Sequence, residues 1–199
     1  MRTQSLSGNE RGLTSAAQRD FVARRLAAVG GVVGFALLTA VGAWIRLPLP
    51  DTPVPVTLQT LIVVLAGVTL GPRLATLSML FYLLLGAVGY HVFAAGDWGL
   101  QTLLGATGGY LVGFVLAQPV IGRLAPADGG ALSLATASLA GHAVVFFCGV
   151  SWLMYWAGCD LATALRLGFW PFIPGTLLKT GVAMALGFEL LKLRSRWFS

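Results

Sequence analysis

Lys179 has the clearest chemical consequence of any residue in this chain, because its ammonium sits inside a long apolar run, residues 172–191. A lysine at the centre of a membrane-spanning helix costs about 2.5–3.5 kcal/mol on insertion scales, so it faces a polar cavity or a counter-charge. Counted from the outer end of its run it lies about two turns deep, roughly 10 Å at 1.5 Å per residue, within reach of a pocket open at that end. The alternative is that its four-carbon stem returns the charge to the outer headgroups. Thr176, one turn earlier, shares its face and offers a neutral hydrogen bond. Glu189 lies near the other end of the run, where pairing with Lys192 or Arg196 is expected.

The second concentration of unusual residues is Gly105-Ala-Thr-Gly-Gly-Tyr-Leu-Val-Gly-Phe114. Glycine at this density lets helices approach closely or lets backbone line a cavity at membrane depth. Both readings stay open, and no Gly-Lys-Ser/Thr follows to make a phosphate loop. Thr57 and Gln59 are polar groups entering an apolar run, while Tyr82 and Tyr110 each offer an apolar face with a hydroxyl tip. Asp97 and Trp98 read as interfacial residues, and His142, with no partner in its own run, reads as a packed or hydrogen-bonded histidine. Small residues recur at four-residue spacing at Gly30 and Gly34 and again at Ala36 and Ala40, a pattern for close helix contact within the chain or with a partner. No Ser/His/Asp set, intramembrane pair of acids, metal-binding cluster or nucleotide loop is present, so an enzyme is not expected, and energy for any transport must come from outside the chain.

The elements that position these residues follow from composition. The chain has 199 residues, 57% of them hydrophobic and 10% charged, against about 25% charged in an ordinary soluble domain. A spanning helix takes about 20 apolar residues. Six runs are expected to span, at residues 26–45, 56–70, 74–88, 100–121, 131–156 and 172–191, the last interrupted early by Pro174-Gly175. The expected fold class is therefore an all-α membrane protein, six transmembrane helices in one bundle occupying residues 26–199, preceded by a polar cytoplasmic N-terminal arm over residues 1–25. Four prolines between Leu47 and Pro55 make a rigid extended loop, since each removes a backbone donor. Gly71-Pro72-Arg73 is a turn signal.

The net charge of +6 would suggest nucleic acid in a soluble protein. Here ten of the basic residues fall in the segments that six helices place on one side, with both termini, and only Arg46 and Arg166 fall on the other. That division fits the positive-inside rule, gives both termini to the cytoplasm and removes the case for nucleic acid. Residues 1–25 lack the pattern of a cleaved signal peptide, and Cys148 and Cys159 read as small apolar residues rather than a disulfide.

In order along the chain, Pro53-Val-Pro-Val-Thr-Leu-Gln-Thr60, Tyr82-Leu-Leu-Leu-Gly86, Val92-Phe-Ala94, the glycine-rich segment 105–114 and Pro171-Phe-Ile-Pro-Gly-Thr-Leu-Leu-Lys179 resemble the BioY family, the biotin-specific S components of energy-coupling factor (ECF) vitamin transporters. The resemblance covers residues 27–192. It implies a plasma-membrane, multi-pass protein that captures biotin from outside in a pocket under the first outer loop. It also implies partners, a transmembrane coupling protein and two ATPase subunits that hydrolyse ATP, with no cofactor in the chain itself. Ala36 and Ala40 match the family's Ala-x-x-x-Ala contact with the coupling protein. The chain departs from the family at Thr176, where an aspartate is usual, and at Ala106, where a proline is usual. The first departure removes a counter-charge for Lys179 and an acceptor for the ureido N–H groups.

Biotin needs apolar walls for its rings and chain, several hydrogen bonds for its ureido group and one cation for its carboxylate. The expected substrate-binding set is Lys179 and Thr176 at the polar end, Thr107, Gly108, Gly109, Tyr110 and Tyr82 as lining, and Thr57 and Gln59 as closure. The alternatives are an S component for another small vitamin or metabolite, and a membrane scaffold that transports nothing.

Overall fold

The computed structural model describes residues 3–198, with side chains described from residue 18 onward. The elements in chain order are α1 (Thr3–Trp44), β1 (Arg46–Leu47), β2 (Val56–Thr57), α2 (Gln59–Ala87), α3 (Leu100–Leu103), α4 (Gly108–Leu124), α5 (Ala131–Ala157), α6 (Leu161–Gly168) and α7 (Ile173–Trp197). Among the described residues four stretches are long and apolar enough to cross a membrane, Gln18–Trp44, Gln59–Ala87, Ala131–Ala157 and Leu161–Trp197, and α4 is a shorter apolar helix.

The turn expected at Gly71 is present as a break inside α2. Gly71 takes φ 73° and ψ −179°, a backbone region that glycine enters without a Cβ penalty, and Pro72 supplies no N–H to carry the helical ladder across. Residues 59–70 and 72–87 thus form two helical segments, and α1 packs against both. Gly42 lies against Gln59 and Ile62, and Gly31 against Leu70, so α1 runs antiparallel to the first segment. Ser78 Oγ in the second segment donates to the Val32 carbonyl at 2.7 Å.

Several expectations are corrected. The run 100–121 is not one helix: residues 104–107 separate α3 from α4, and Trp152 Nε1 donates to the Gly105 carbonyl at 2.8 Å to hold that break. Pro174 does not interrupt α7 but occupies its first turn, where a missing N–H breaks no helical hydrogen bond. The proline loop is closed by a small antiparallel hairpin, Arg46 opposite Thr57 and Leu47 opposite Val56. The linker before α7 folds into α6, whose N-cap Asp160 accepts from the Thr163 N–H at 3.0 Å, and that hydrogen bonding holds the Asp160 carboxyl below the usual carboxylate range. Backbone hydrogen bonding in α1 continues through residues 25 and 26, so no helix end marks the expected arm boundary.

Ala36 and Ala40, the pair that the resemblance assigns to the coupling contact, lie inside the bundle. They are 0% and 7% exposed and belong to the core with Thr39 and Ala43, while Leu37, Leu38 and Val41 face outward. The small-residue positions that stay open on α1 are Gly30 and Gly34, where a Cβ would meet nothing within 4 Å.

Glycine contacts set the remaining packing. A Cβ at Gly109 would lie 2.2 Å from Trp152 Cβ, one at Gly113 2.9 Å from Val145 Cα, and one at Gly122 2.4 Å from the Pro72 nitrogen. Backbone approach of this kind supplies the van der Waals contact that drives helix association where lipid removes the hydrophobic incentive. Gly122→Val is expected to destabilise the protein by about 1–3 kcal/mol through overpacking against backbone that has nowhere to go. Gly181→Ala, at a site with nothing within 4 Å, is expected to be neutral or to stabilise by up to about 1 kcal/mol. Thermal melts of the two purified variants in one detergent make the comparison.

Candidate functional site

A cavity lies under the hairpin, at the start of α2, α4 and α7. Its walls are largely aromatic, from Phe93, Tyr110, Phe114, Phe146 and Phe172, with Leu111 and Val145. Phe146 meets Phe172 at 6.2 Å between centroids, and Tyr110 meets Phe172 at 6.4 Å, so the rings brace one another. Val54 and Pro55 cover the cavity from the hairpin. Thr57, Gln59, Thr60, Thr107, Thr176 and Lys179 are its polar groups.

Lys179 Nζ donates to the Thr57 carbonyl at 2.6 Å and to Thr60 Oγ1 at 2.9 Å. The lysine therefore neither snorkels to the headgroups nor pairs with an acid. Among the described residues the ion pair is Lys192 with Glu189, at 2.6 Å on the exposed surface, as expected of Glu189. Two of the three ammonium donors of Lys179 are used within the protein, and the third is left for whatever enters the cavity.

The hydrogen bonds continue away from the cavity. Thr57 Oγ1 donates to Gln59 Oε1 at 3.1 Å, Gln59 Nε2 donates to the Tyr82 hydroxyl at 2.7 Å, and that hydroxyl donates to the Val92 carbonyl at 3.0 Å. The chain links α7, the hairpin, both segments of α2 and the loop that presents Phe93. Tyr82 packs edge-on against Phe93, centroids 5.6 Å apart. On the opposite wall the Tyr110 hydroxyl donates to the Gly168 carbonyl at 2.7 Å, fixing the end of α6.

Of the residues singled out from sequence, Lys179, Thr176, Tyr110, Thr107, Thr57 and Gln59 meet at this cavity. Tyr82, Gly108 and Gly109 do not line it. Tyr82 is 0% exposed behind Gln59, and the two glycines are taken up by close packing, Gly108 on the Leu103 carbonyl and Gly109 on Trp152. Thr60 and the phenylalanines were not singled out. Thr60 carried the same signal as Gln59, a polar group at the start of an apolar run, and Phe93 and Phe172 lay inside motifs already noted. His142 is buried, its Nδ1 2.8 Å from the Ser138 carbonyl, and it lies outside the cavity lining.

A cavity with aromatic walls, one cation and a few neutral polar groups is suited to holding a small, mainly apolar molecule with an anionic or strongly polar end. Comparison with known proteins decides the family. A family model described as the BioY family matches residues 14–196. The chain belongs to the BioY family. Relatives in the family include the biotin transporter BioY of Thermotoga maritima, 41% identical over 159 residues that cover 80% of this chain and 92% of that one. A probable biotin transporter BioY of Pyrococcus horikoshii is 39% identical over 156 residues, covering 78% and 91%. Among solved structures, the S-component for biotin from an ECF-type ABC transporter superposes with a TM-score of 0.80 at 25% identity, covering 88% of this chain and 97% of that one. The protein is a multi-pass protein of the plasma membrane.

Tyr82→Phe removes a hydroxyl that accepts from Gln59 and donates to Val92. With the buried Gln59 amide and the half-buried Val92 carbonyl losing this partner, it is expected to destabilise the protein by about 1–3 kcal/mol, read as a lowered melting temperature, while Tyr90→Phe, at an exposed ring, leaves the melt unchanged.

Proposed function

We propose that the cavity binds biotin captured from the outer side, and that the protein works as the S component of an ECF transporter in biotin uptake. The observation that carries this reading is the pairing of aromatic walls with a single lysine whose ammonium is held at the cavity without a carboxylate. Fused rings and an aliphatic chain match the walls, and the remaining Lys179 donor with Thr176 serves the polar end. Thr107 and Tyr110 line the site, and Thr57 and Gln59 close it. In this reading Tyr82, Gly108 and Gly109 act by positioning the lining.

The six passes are the described part of α1, the two segments of α2 on either side of Gly71, α4, α5 and α7. The distribution of arginine supports cytoplasmic termini, with residues 1–25 as a cytoplasmic arm and residues 26–199 as the membrane domain. The chain binds and delivers without catalysing a reaction and needs no cofactor of its own. A coupling protein and two ATPase subunits supply the energy by hydrolysing ATP. Ala36 and Ala40 are buried in the bundle, and the coupling contact is assigned to the open positions Gly30 and Gly34 on the same helix.

Radiolabelled biotin binding to the purified protein, competed with other vitamins, tests the substrate. Lys179→Ala is expected to weaken biotin binding by well over tenfold, more than about 1.4 kcal/mol, with the protein still folded and extractable. Unchanged binding, or displacement by another vitamin at lower concentration than biotin, contradicts the reading. Gly34→Leu is expected to abolish co-purification with the ECF module and leave biotin binding intact, whereas loss of both reports misfolding and removes Gly34 from the contact.

A further inference from the structure

A second concavity of different chemistry lies at the end of the bundle opposite the ligand cavity. A cleft of about 860 Å3 opens between the Gly71 break and the ends of α4 and α7. Along α7 it is separated from Lys179 by the residues up to Arg194, roughly 20 Å of helix. Its apolar lining is Leu70, Leu74, Leu77, Pro119 and Phe198. Arg73, Arg123 and Arg194 also line it, and among the described residues no carboxylate does.

The arginines are not equivalent. Arg194 belongs to the scaffold: its Nη1 donates to the carbonyls of Gly122, at 3.1 Å, and Ala125, and its guanidinium covers Gly71. Arg123 donates through Nη1 to the Pro119 carbonyl at 3.1 Å, which fixes the side chain at the rim while engaging one of its five N–H donors. Arg73 is exposed beside it, at the start of the second segment of α2. Below these charges Leu77 is 53% exposed on the outer surface of the bundle.

Charge placed above an exposed apolar wall, at the end of membrane-crossing helices, matches a lipid more closely than a soluble ion. A free phosphate has no use for Leu74, Leu77 and Phe198, and a zwitterionic lipid brings no net charge to meet three guanidinium groups. Basic pockets between transmembrane helices are suited to anionic headgroups, and the guanidinium fork matches phosphate oxygens two at a time. We propose that this cleft holds one anionic phospholipid, its phosphodiester on Arg73 and Arg123 and an acyl chain along Leu74, Leu77 and Phe198. The site is independent of what the other cavity binds.

The test measures lipid binding to the full chain in detergent by native mass spectrometry and by thermal shift, using phosphatidylglycerol, phosphatidylcholine of the same chains, and glycerol phosphate. Phosphatidylglycerol is expected to stay bound and raise the melting temperature, and the other two are not. The double variant Arg73→Gln with Arg123→Gln, checked for monodispersity and helical content, is expected to bind phosphatidylglycerol roughly tenfold more weakly or worse. Equal effects of the two lipids, or full stabilisation by glycerol phosphate, overturn the proposal. So does unchanged phosphatidylglycerol binding in the double variant, including the case where that variant instead loses the ECF module and the cleft is a protein contact.

Discussion

An ammonium group inside an apolar bundle must be solvated by the protein itself, and the rest of the site follows from how Lys179 meets that demand. It takes the Thr57 carbonyl and the Thr60 hydroxyl, groups at the exit of the hairpin and the first turn of α2. The carbonyl is available because β2 ends at Thr57 and the helix begins two residues later. The ammonium therefore fastens the cover of the cavity to α7, and among the described residues no carboxylate is paired with it. In a low-dielectric surrounding an uncompensated cation attracts an anionic or strongly dipolar ligand end more strongly than it would in water.

The hydrogen bonds from Thr57 through Gln59 and Tyr82 to Val92 extend that fastening to the loop carrying Phe93. A polar network of this kind is stable only if each member is satisfied, which explains why Tyr82 stands behind the wall and not on it. Close glycine packing does the corresponding work among the helices. Gly109 against Trp152 and Gly122 against Pro72 bring backbones together, and the bundle gains in dispersion what it lacks in hydrophobic driving force.

Much of this was legible in the sequence where one residue type has one physical consequence. The break at Gly71-Pro72, the pairing of Glu189 with Lys192 and the prominence of Lys179 needed no knowledge of distant residues. The hairpin pairing of Arg46 with Thr57 was hidden among prolines, because register between strands is a long-range property. The split at residues 104–107 lay in the glycine-rich segment, where glycine serves helix packing or a cavity wall as readily as a helix break. The inward face of α1 was not legible for a reason particular to membranes: lipid and protein interior are equally apolar, so hydrophobic periodicity does not mark which face looks inward. The same ambiguity covered Gly108 and Gly109, since glycine serves a cavity wall and a helix contact equally well.

The folded protein, and not its unfolded chain, is proposed to hold biotin in this cavity. A ligand bound only to the folded state must stabilise it, by about 4 kcal/mol at a thousandfold excess over Kd. The direct measurement is the melting temperature of the purified wild-type protein across a biotin titration. A rise that continues with the logarithm of biotin concentration beyond saturation of the site is expected, and an unchanged melt at saturating biotin overturns the assignment of biotin to this cavity.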